Sequence, residues 1–368
     1  MGRDYRATAY PPDTEEFNQS NIDMFWNFVW ERHQIWINRF IKKLPREQWT
    51  TDSILKVTKY TNIYRELDRG TLWYLENIMK PFCDSYDKMY PEPMIRNQNL
   101  ELSRNLIWHT TLYRLCNRIE TFEEVGLPDY DSYNDEILHN KFFMKMDAIA
   151  DSGRAVMTSA HLTCPSPAGF TKVEGYMAAV NDLHKHLKNG LTEEVNNAKT
   201  PKEVFEILQS VYCVGRFISY EVLCDLIYCQ AIGHEGRAFT LDDWANVGPG
   251  AKEGIRLLYP STKGEKNIYA RMVQLRDEQQ RHMDRLGLRF QYYEKFTKGH
   301  LSLRSVEHDL CEFSKFWLQK HNLGKQRMIF NQDNNRIVEK EENGKLVKYK
   351  IIVDPNTGTS LKKVYLEI

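Results

Sequence analysis

The sequence predicts a mostly α-helical body that carries a small C-terminal β appendage. Apolar residues recur at the three- and four-residue spacing of amphipathic helices through most of the chain. After residue 323 the pattern changes to strand-like segments, two of them joined by Asn343-Gly344, a typical hairpin turn. We therefore expect an N-terminal arm at 1–20, a helical domain at 21–323 and a β-hairpin appendage at 324–368.

The composition indicates a globular protein without a strong net charge. Of 368 residues, 42% are hydrophobic and 12% are aromatic, which excludes wholesale disorder and supplies a large core. The 50 Lys and Arg residues balance 50 Asp and Glu residues. Any nucleic-acid site must therefore be a local patch on a neutral body, and a protein that coats DNA non-specifically is disfavoured.

Cysteine usage and hydropathy indicate a cytoplasmic protein. The seven cysteines include no CxxC pair, which favours free thiols over disulfides or a structural zinc site. The N-terminus lacks the apolar core of a signal peptide, and no apolar run approaches membrane-spanning length. We expect no metal, no cofactor and no membrane partner, and the oligomeric state is left open.

Helix starts are predicted where a capping residue precedes an apolar stripe. The first helix is expected to open after Ser20 or Asn21, and a second helical stretch to start at Thr51-Asp52 and lead into residues 60–73. Thr200-Pro201-Lys202-Glu203 is the clearest start, with an N-cap, a proline at N1 and a capping box. Further helices are predicted over 98–119, 134–151, 172–187, 217–228, 266–285 and 303–319.

Residues 241–259 are predicted to form two helices around a glycine turn. Gly248 and Gly250 permit positive φ and close approach of a ligand, and unpaired N–H groups at the start of the second helix can seat a phosphate. This layout is typical of the helix-hairpin-helix element, which grips a nucleic-acid backbone without reading bases. An ordinary αα-hairpin with a glycine turn fits the stretch equally well. The residues expected to contact the backbone are Gly248, Pro249, Gly250, Ala251, Lys252 and Arg256.

Each of two pairs of charged residues has both a structural and a functional interpretation. Glu221 and Asp225 lie one turn apart within an apolar helix, which is unfavourable unless something offsets their charge. Asp225 is either a structural carboxylate, capping the hairpin helix or pairing with a lysine, or a functional one near a pocket with a raised pKa. Arg65 and Asp68 are either a simple i,i+3 ion pair or the polar wall of a pocket.

Several groups of residues, ordered and spaced as a set over 22–318, resemble one known family. They are Phe25-Trp26 with Glu31-Arg32, Thr61-Asn62 with Arg65 and Asp68, Arg114 with Asn117, Asp225, Gly248-Pro249-Gly250 with Gly254, and Glu307 with Cys311-Glu312-Phe313 and Lys315. The family is known as α-glutamyl/putrescinyl-thymine pyrophosphorylases and as the helical domain of 5-hydroxymethyldeoxyuridine DNA kinase. It is regarded as an offshoot of the helix-hairpin-helix DNA glycosylases, so the resemblance implies a glycosylase-like helical body.

The resemblance implies a role in the chemistry of hypermodified pyrimidines in phage DNA. The first hypothesis is a DNA glycosylase that excises a modified or glucosylated pyrimidine from double-stranded DNA, as an antiphage defence. The second is a transferase that adds an amine or amino acid to 5-phosphomethyl or 5-hydroxymethyl uracil in DNA. The third is a DNA-binding protein without catalysis. Excision and transfer both require a base flipped out of the stack into a pocket.

The resemblance also suggests which residues would act. An acid would stabilise positive charge on the deoxyribose and activate water. The candidate acids are Asp225, Asp68 and Glu31. The residues expected to hold the flipped base are Trp26, Arg32, Asn62, Tyr64, Arg65, Arg114 and Asn117. From the residues alone, the aromatic ones are more often core, and the Glu31-Arg32 pair is more often solvated.

The sequence departs from better-known glycosylases and from kinases. No aspartate lies between Gly250 and Asp277, where a glycosylase would place its catalytic acid, and Lys252 is a poor match for a catalytic lysine. The cysteine cluster of iron–sulfur glycosylases is also absent. The sequence contains no GxxxxGK[ST] phosphate-binding loop, so kinase activity is not expected to reside in this chain.

Overall fold

The protein is described by a computed structural model. The structure describes residues 17–82, 103–134, 136–158, 170–289, 300–323, 336–342, 345–353 and 360–366. Residues 1–16 of the predicted arm, the predicted Asn343-Gly344 turn and the first part of the predicted helix at 98–119 lie outside these ranges.

The described part of the chain is mostly helical, which confirms the predicted fold class. The α-helices are α1 (Gln19–Trp36), α2 (Arg69–Tyr74), α3 (Arg104–Cys116), α4 (Ile119–Val125), α5 (Glu136–Asp151), α6 (Lys172–Lys188), α7 (Leu191–Asn197), α8 (Pro201–Leu208), α9 (Arg216–Tyr228), α10 (Pro249–Leu258), α11 (Glu265–Asp277), α12 (Gln279–Leu286) and α13 (Leu303–Lys320). A π-helical turn, Ile37–Ile41, directly continues α1, and a second one, Leu75–Met79, continues α2.

Two small antiparallel sheets accompany the helices. The first pairs β1 (Gly233–His234) with β2 (Arg237–Ala238). The second, in the C-terminal segment, has the order β3 (Arg336–Glu342), β4 (Lys345–Val353) and β5 (Ser360–Leu366). The predicted β appendage is therefore confirmed, and its three strand-like segments pair in one sheet.

The chain folds into two compact units. The first unit comprises Met1–Arg69, Pro249–Gln291 and His308–Ile368, and the second comprises Gly70–Gly248 and Tyr292–Glu307. The three-part division made from the sequence stays a prediction.

The first unit is built around α1, which packs against α10, α12 and the C-terminal part of α13. Asn18, not Ser20 or Asn21, is the N-cap of α1, because its side chain accepts the Asn21 N–H. Asn21 is buried instead: its Nδ2 donates to the Leu257 carbonyl at 2.8 Å, and its Oδ1 accepts from Trp317 Nε1 at 3.1 Å. These two hydrogen bonds fix α1 to α10 and to α13.

The second unit is built around α3, whose residues from Leu106 to Cys116 are all buried. Trp108 Nε1 donates to the Pro128 carbonyl at 2.6 Å, so its indole is buried without losing its hydrogen bond. At α8 the predicted N-cap is confirmed, since Thr200 accepts the Glu203 N–H. The Glu203 carboxylate accepts from the Lys199 N–H rather than from that of Thr200, so the second bond of the predicted capping box is displaced by one residue.

Two of the predicted helices are interrupted by side chains that bond locally to the backbone. Residues 51–58 form turns because the Asp52 carboxylate accepts the N–H groups of Ile54 and Leu55, which favours a turn over a helix. The single helix predicted over 266–285 is two helices, α11 and α12, that meet at Glu278. Gln279 Nε2 donates to the Arg276 carbonyl at this junction.

The predicted hairpin at 241–259 is wrong in its first half. Residues 241–243 form a turn and 244–248 are not helical, because the Asp243 carboxylate accepts the Thr240 N–H and closes the turn. The second helix is present as α10, with Pro249 in its first position as prolines prefer.

The glycines of this stretch serve close packing rather than positive φ. Neither Gly248 nor Gly250 has positive φ. A Cβ on Gly250 would clash with the Cys311 side chain, and a Cβ on Gly254 would lie 2.5 Å from the Leu310 carbonyl oxygen. Within the first unit, Gly250 and Gly254 therefore let α10 lie directly against α13.

Replacing Gly254 with alanine is expected to lower the free energy of unfolding by about 1–3 kcal/mol, because a backbone carbonyl cannot move aside for the added methyl group. Urea unfolding of the two proteins measures the difference. Glu253→Ala, on the half-exposed face of the same helix, is the control and should change stability by less than about 1 kcal/mol. Equal unfolding midpoints for Gly254→Ala and Glu253→Ala would contradict the packing argument.

Candidate functional site

A buried cluster of charges, which we call the Arg114 cluster, lies in the second unit. It consists of Arg114 on α3, Glu221, Cys224 and Asp225 on α9, and Arg304 on α13. Arg114 donates to Asp225 through two parallel bonds, Nε to Oδ2 at 2.6 Å and Nη2 to Oδ1 at 2.7 Å. Its Nη1 also lies 3.3 Å from Glu221 Oε2. Planar guanidinium and carboxylate groups match in this bidentate geometry, so the pair is strong as well as buried.

Arg304 supplies a second cation to the same cluster. Its Nη2 lies 3.4 Å from Glu221 Oε2, and its Nη1 donates to Cys224 Sγ at 2.9 Å. Two arginines thus compensate the two carboxylates that α9 carries one turn apart. The sequence singled out Asp225 as needing compensation but did not identify Arg304.

Burial dominates the titration of this cluster. It raises the pKa of Asp225 above its usual value, and the Arg114 guanidinium opposes that rise. Burial also raises the pKa of Cys224 to about 12, which keeps the thiol protonated and unreactive. Asp225 is fully buried and is paired with Arg114. This agrees with the interpretation of Asp225 as a structural carboxylate, although its partner is an arginine rather than the expected lysine. A catalytic role for Asp225 or a base-binding role for Arg114 stays a prediction.

A second polar cluster, which we call the Asp309 cluster, lies in the first unit. It consists of Arg32, Thr61, Asn62, Arg65, Asp68 and Asp309. Arg32 Nη1 donates to Asp309 Oδ1 at 2.9 Å, and Nη2 donates to the Thr61 carbonyl. Four residues that the sequence predicted as site residues therefore lie in one cluster. The cluster also contains Asp309, which the sequence analysis did not predict.

The Asp309 cluster has a buried layer and a layer that reaches solvent. The side chains of Arg32 and Asp309 are 3% and 0% exposed, whereas those of Arg65 and Asp68 are 12% and 19% exposed. Asp68 Oδ1 accepts from the backbone N–H of Asn62 at 3.0 Å and from its Nδ2 at 2.9 Å, and Oδ2 accepts from Arg65. The outer layer is thus a carboxylate held in place by three N–H donors.

Burial makes Asp309 the most perturbed carboxylate of this cluster. It raises the pKa of Asp309 to about 7, against the opposing charge of Arg32. Asp309 Oδ2 is buried without a hydrogen-bond partner among the described residues. The sequence does hold a signal for Asp309: it is a carboxylate three residues after Val306 and four before Phe313, within the apolar stripe of α13.

The remaining base-binding candidates have structural roles in the described conformation. Trp26 and Tyr64 are fully buried in the first unit, where Trp26 stacks on His282 with ring centroids 5.8 Å apart, so neither ring is available to a base. Asn117 is the C-cap of α3 in the left-handed conformation, with φ 48°. Glu31, the third candidate acid, accepts a hydrogen bond from Thr50 Oγ1, and a catalytic role for it stays a prediction. The reading of Glu31-Arg32 as a solvated pair is wrong, because Arg32 is buried.

The residues predicted to grip the DNA backbone are largely occupied by protein contacts. The Gly248 N–H donates to Glu307 Oε1 at 3.0 Å. Lys252 pairs with Glu265, Arg256 lies 3.2 Å from Glu253, and Ala251 is fully buried. The positive charge expected beside a phosphate is therefore locally balanced, and a backbone-binding role for this turn stays a prediction.

α8 and α9 are joined by a short turn over residues 209–215. In the turn between them Cys213 has φ 64°, in the left-handed region that the sequence reading assigned to a glycine turn. Gly215 is the N-cap of α9. Cysteine rather than glycine therefore takes the positive φ in this turn.

The described residues show neither a metal-binding cluster nor a membrane-spanning helix. Within these ranges no group of three or more His, Cys, Asp or Glu side chains is arranged to hold a metal ion. Likewise, none of the helices that the structure describes is long and apolar enough to cross a bilayer.

Comparison with known proteins identifies the family. Residues 19–326 match the model of a family described as "5-hmdU DNA kinase, helical domain". This chain belongs to the 5-hmdU DNA kinase helical-domain family. It is also 28% identical over 310 residues to a 5-hmdU DNA kinase of Bacillus phage SP10, an alignment that covers 82% of this chain and 46% of that protein. The chain therefore spans about half the length of the curated relative that it matches. No solved structure matches the chain.

Membership of the 5-hmdU DNA kinase helical-domain family confirms the resemblance and contradicts the first functional hypothesis. The hypothesis of a DNA glycosylase, and with it hydrolysis of a modified base as antiphage defence, is wrong: the family and the phage relative are described by phosphotransfer to DNA, which breaks no glycosidic bond. The transferase hypothesis is closer to the description of the family, because a kinase is a transferase, although a kinase transfers a phosphoryl group rather than an amine or amino acid. The expectation of a helix-hairpin-helix glycosylase superfamily stays a prediction.

Proposed function

We propose that this chain takes part in phosphorylation of 5-hydroxymethyldeoxyuridine in DNA, as the part that binds the modified DNA and holds the acceptor nucleotide. The observation that carries the proposal is the match of residues 19–326 to the helical domain of 5-hmdU DNA kinase. The sequence has no GxxxxGK[ST] loop, so we assign the chain to the acceptor side of the reaction. The partner is double-stranded DNA, and a cytoplasmic location fits this role.

The reaction sets clear requirements on the acceptor side. The hydroxymethyl oxygen of the base attacks the terminal phosphorus of a nucleoside triphosphate, the bond to the departing diphosphate breaks, and the hydroxyl proton leaves. Protein kinases place a carboxylate at the attacking hydroxyl to orient it and accept its proton. A base within a duplex must first be flipped out so that its hydroxymethyl group can be reached.

Asp68 meets these requirements best among the carboxylates of the Asp309 cluster. An ionised carboxylate offers about four acceptor positions, and three N–H donors from Asn62 and Arg65 occupy three of them. One position is left for a hydroxyl donor, on a side chain that reaches solvent. We therefore assign Asp68 the role of accepting the hydrogen bond of the 5-hydroxymethyl group, with Asn62 and Arg65 fixing its orientation.

Asp68→Asn is expected to abolish the preference for DNA that contains 5-hydroxymethyldeoxyuridine. The loss of one charge-assisted hydrogen bond corresponds to about a 10-fold lower affinity for that DNA, and affinity for a matched thymidine duplex should be unchanged. Fluorescence anisotropy with the two duplexes measures both values. Asp277→Asn, an exposed carboxylate of the same unit, is the charge-matched control.

Two results would contradict the proposed function. Equal affinity of the unaltered chain for the two duplexes would remove its role in recognising the modified base. In a second arm γ-labelled ATP is added, and transfer of label to DNA by this chain alone would contradict its assignment to the acceptor side.

A further inference from the structure

Residues 37–59, which we call the basic segment, carry an excess of positive charge on a neutral protein. The segment holds six Lys and Arg residues and two Asp and Glu residues, a net charge of +4. Because the whole chain has a formal net charge of 0, all other residues together sum to −4. The basic residues are Arg39, Lys42, Lys43, Arg46, Lys56 and Lys59. This is the kind of local patch that a neutral protein needs in order to bind nucleic acid.

The lysines of the basic segment are exposed and not neutralised. Lys42, Lys43 and Lys56 are exposed, and within the part of the chain that the structure describes they form no ion pair. This contrasts with the turn predicted from the sequence, where Lys252 pairs with Glu265 and Arg256 with Glu253. A cation without a protein partner can exchange its counterion for a phosphate group, which is the source of most nucleic-acid affinity.

The basic segment is an ordered surface rather than a loose tail. The Arg39 guanidinium lies 5.1 Å from the centroid of the Trp49 ring. Asn38 Nδ2 donates to the Trp49 carbonyl at 3.1 Å, and Trp49 Nε1 donates to the Leu44 carbonyl at 2.8 Å. Arg46 Nη2 donates to the Lys56 carbonyl at 3.2 Å, which ties the middle of the segment to its C-terminal part. A surface formed in advance avoids the entropic cost of ordering it on binding.

Lys59 lies within electrostatic reach of two arginines, Arg39 and Arg69. The pKa of Lys59 is lowered, first by desolvation although the residue is exposed, and then by the charges of Arg69 and Arg39.

Exposed apolar side chains accompany the charges. Ile41 is 61% exposed and Val57 is 44% exposed, each next to a lysine in the sequence. Proteins that hold duplex DNA through its backbone commonly add apolar contacts to sugars or base steps beside their basic residues. A membrane surface or a generic anion would not account for an ordered patch within a family described by action on DNA.

We infer that the basic segment is the surface on which this protein holds the phosphate backbone of double-stranded DNA, with Lys42, Lys43 and Lys56 contacting phosphates. The inference rests on the proposed function, because it takes modified DNA as the partner. It assigns backbone contact to residues that the sequence reading did not name, in place of the turn at Gly248–Gly250.

The test is a charge reversal measured across a salt series. The double substitution Lys42→Glu with Lys43→Glu is expected to weaken binding to a 5-hydroxymethyldeoxyuridine duplex by about 10-fold or more. The slope of log affinity against log salt should fall by about 2, one unit for each lost phosphate contact. Lys56→Glu, from the other end of the segment, should lower that slope by about 1. Preference for the modified duplex over the thymidine duplex should persist in every variant.

The matched control is Lys141→Glu with Lys145→Glu, two exposed lysines on α5. It makes the same change in net charge and should leave the salt slope unchanged.

If the Lys42 and Lys43 double variant behaves like this control, the inference is overturned, and the proposed function stands as long as the modified duplex is still preferred. If the unaltered chain binds anionic vesicles as well as DNA, with the same dependence on Lys42 and Lys43, the assignment to DNA is overturned. Failure of the unaltered chain to bind any DNA would overturn the proposed function as well.

Discussion

Replacing Asp225 with alanine is expected to lower the free energy of unfolding by about 3–5 kcal/mol, because it leaves the buried Arg114 charge without its bidentate partner. Both side chains are almost fully buried, at 5% and 0% exposed, so water cannot replace the lost carboxylate. Glu221 lies 3.3 Å from Arg114 and compensates part of the charge, which places the expected loss below that of an isolated cation. Urea unfolding followed by circular dichroism measures the difference.

Two further variants separate burial from the mere presence of an ion pair. Glu124→Ala removes an exposed partner of Arg154, from a pair with side chains about half exposed, and should cost less than about 1 kcal/mol. Removing both buried charges, with Arg114→Met and Asp225→Leu together, should recover much of the stability lost by Asp225→Ala. If Asp225→Ala unfolds like Glu124→Ala, the Arg114 cluster contributes little to stability and a functional reason for its burial becomes the better account.

Asp309→Asn is expected to remove a fall in stability that the unaltered protein shows as pH rises. The pKa of Asp309 is raised from 3.8 to about 7 by burial, so the folded state holds the proton more tightly than the unfolded state. Its stabilising contribution is therefore complete below the unfolded pKa and is lost as pH rises through about 7. The difference between the unaltered protein and the variant should change by an amount on the order of 2–4 kcal/mol across this window.

Urea unfolding at a series of pH values from about 4 to 8 tests this expectation. Comparing the two proteins at each pH cancels the other titrating groups, including Asp225, whose pKa is also raised. Asp23→Asn serves as the opposite control, because Arg285 lowers the pKa of the partly exposed Asp23 and its stabilising effect should fade as pH drops. Parallel pH profiles for Asp309→Asn and the unaltered protein would show that Asp309 titrates normally.

Local sequence patterns were sufficient for most of the helices. α9 and α13 lie within a residue or two of their predicted bounds, and the Thr200 N-cap is present, because apolar periodicity and capping act within a few residues. The same local reasoning failed at 51–58 and 241–248. There, Asp52 and Asp243 bond to nearby backbone N–H groups and close turns that compete with a helix.

The sequence by itself determined the helical fold class, the C-terminal strands and the family resemblance. It also indicated that the negative charge of Asp225 must be compensated by another group. It did not determine the partners, since Arg114 lies 111 positions from Asp225 and Asp309 lies 277 positions from Arg32. Only tertiary packing decided that these pairs are buried together, and that Lys42 and Lys43 are exposed while Lys252 is paired. The physical reason is range: periodicity and capping act along a few residues, whereas desolvation and ion pairing depend on which distant segments the fold brings together.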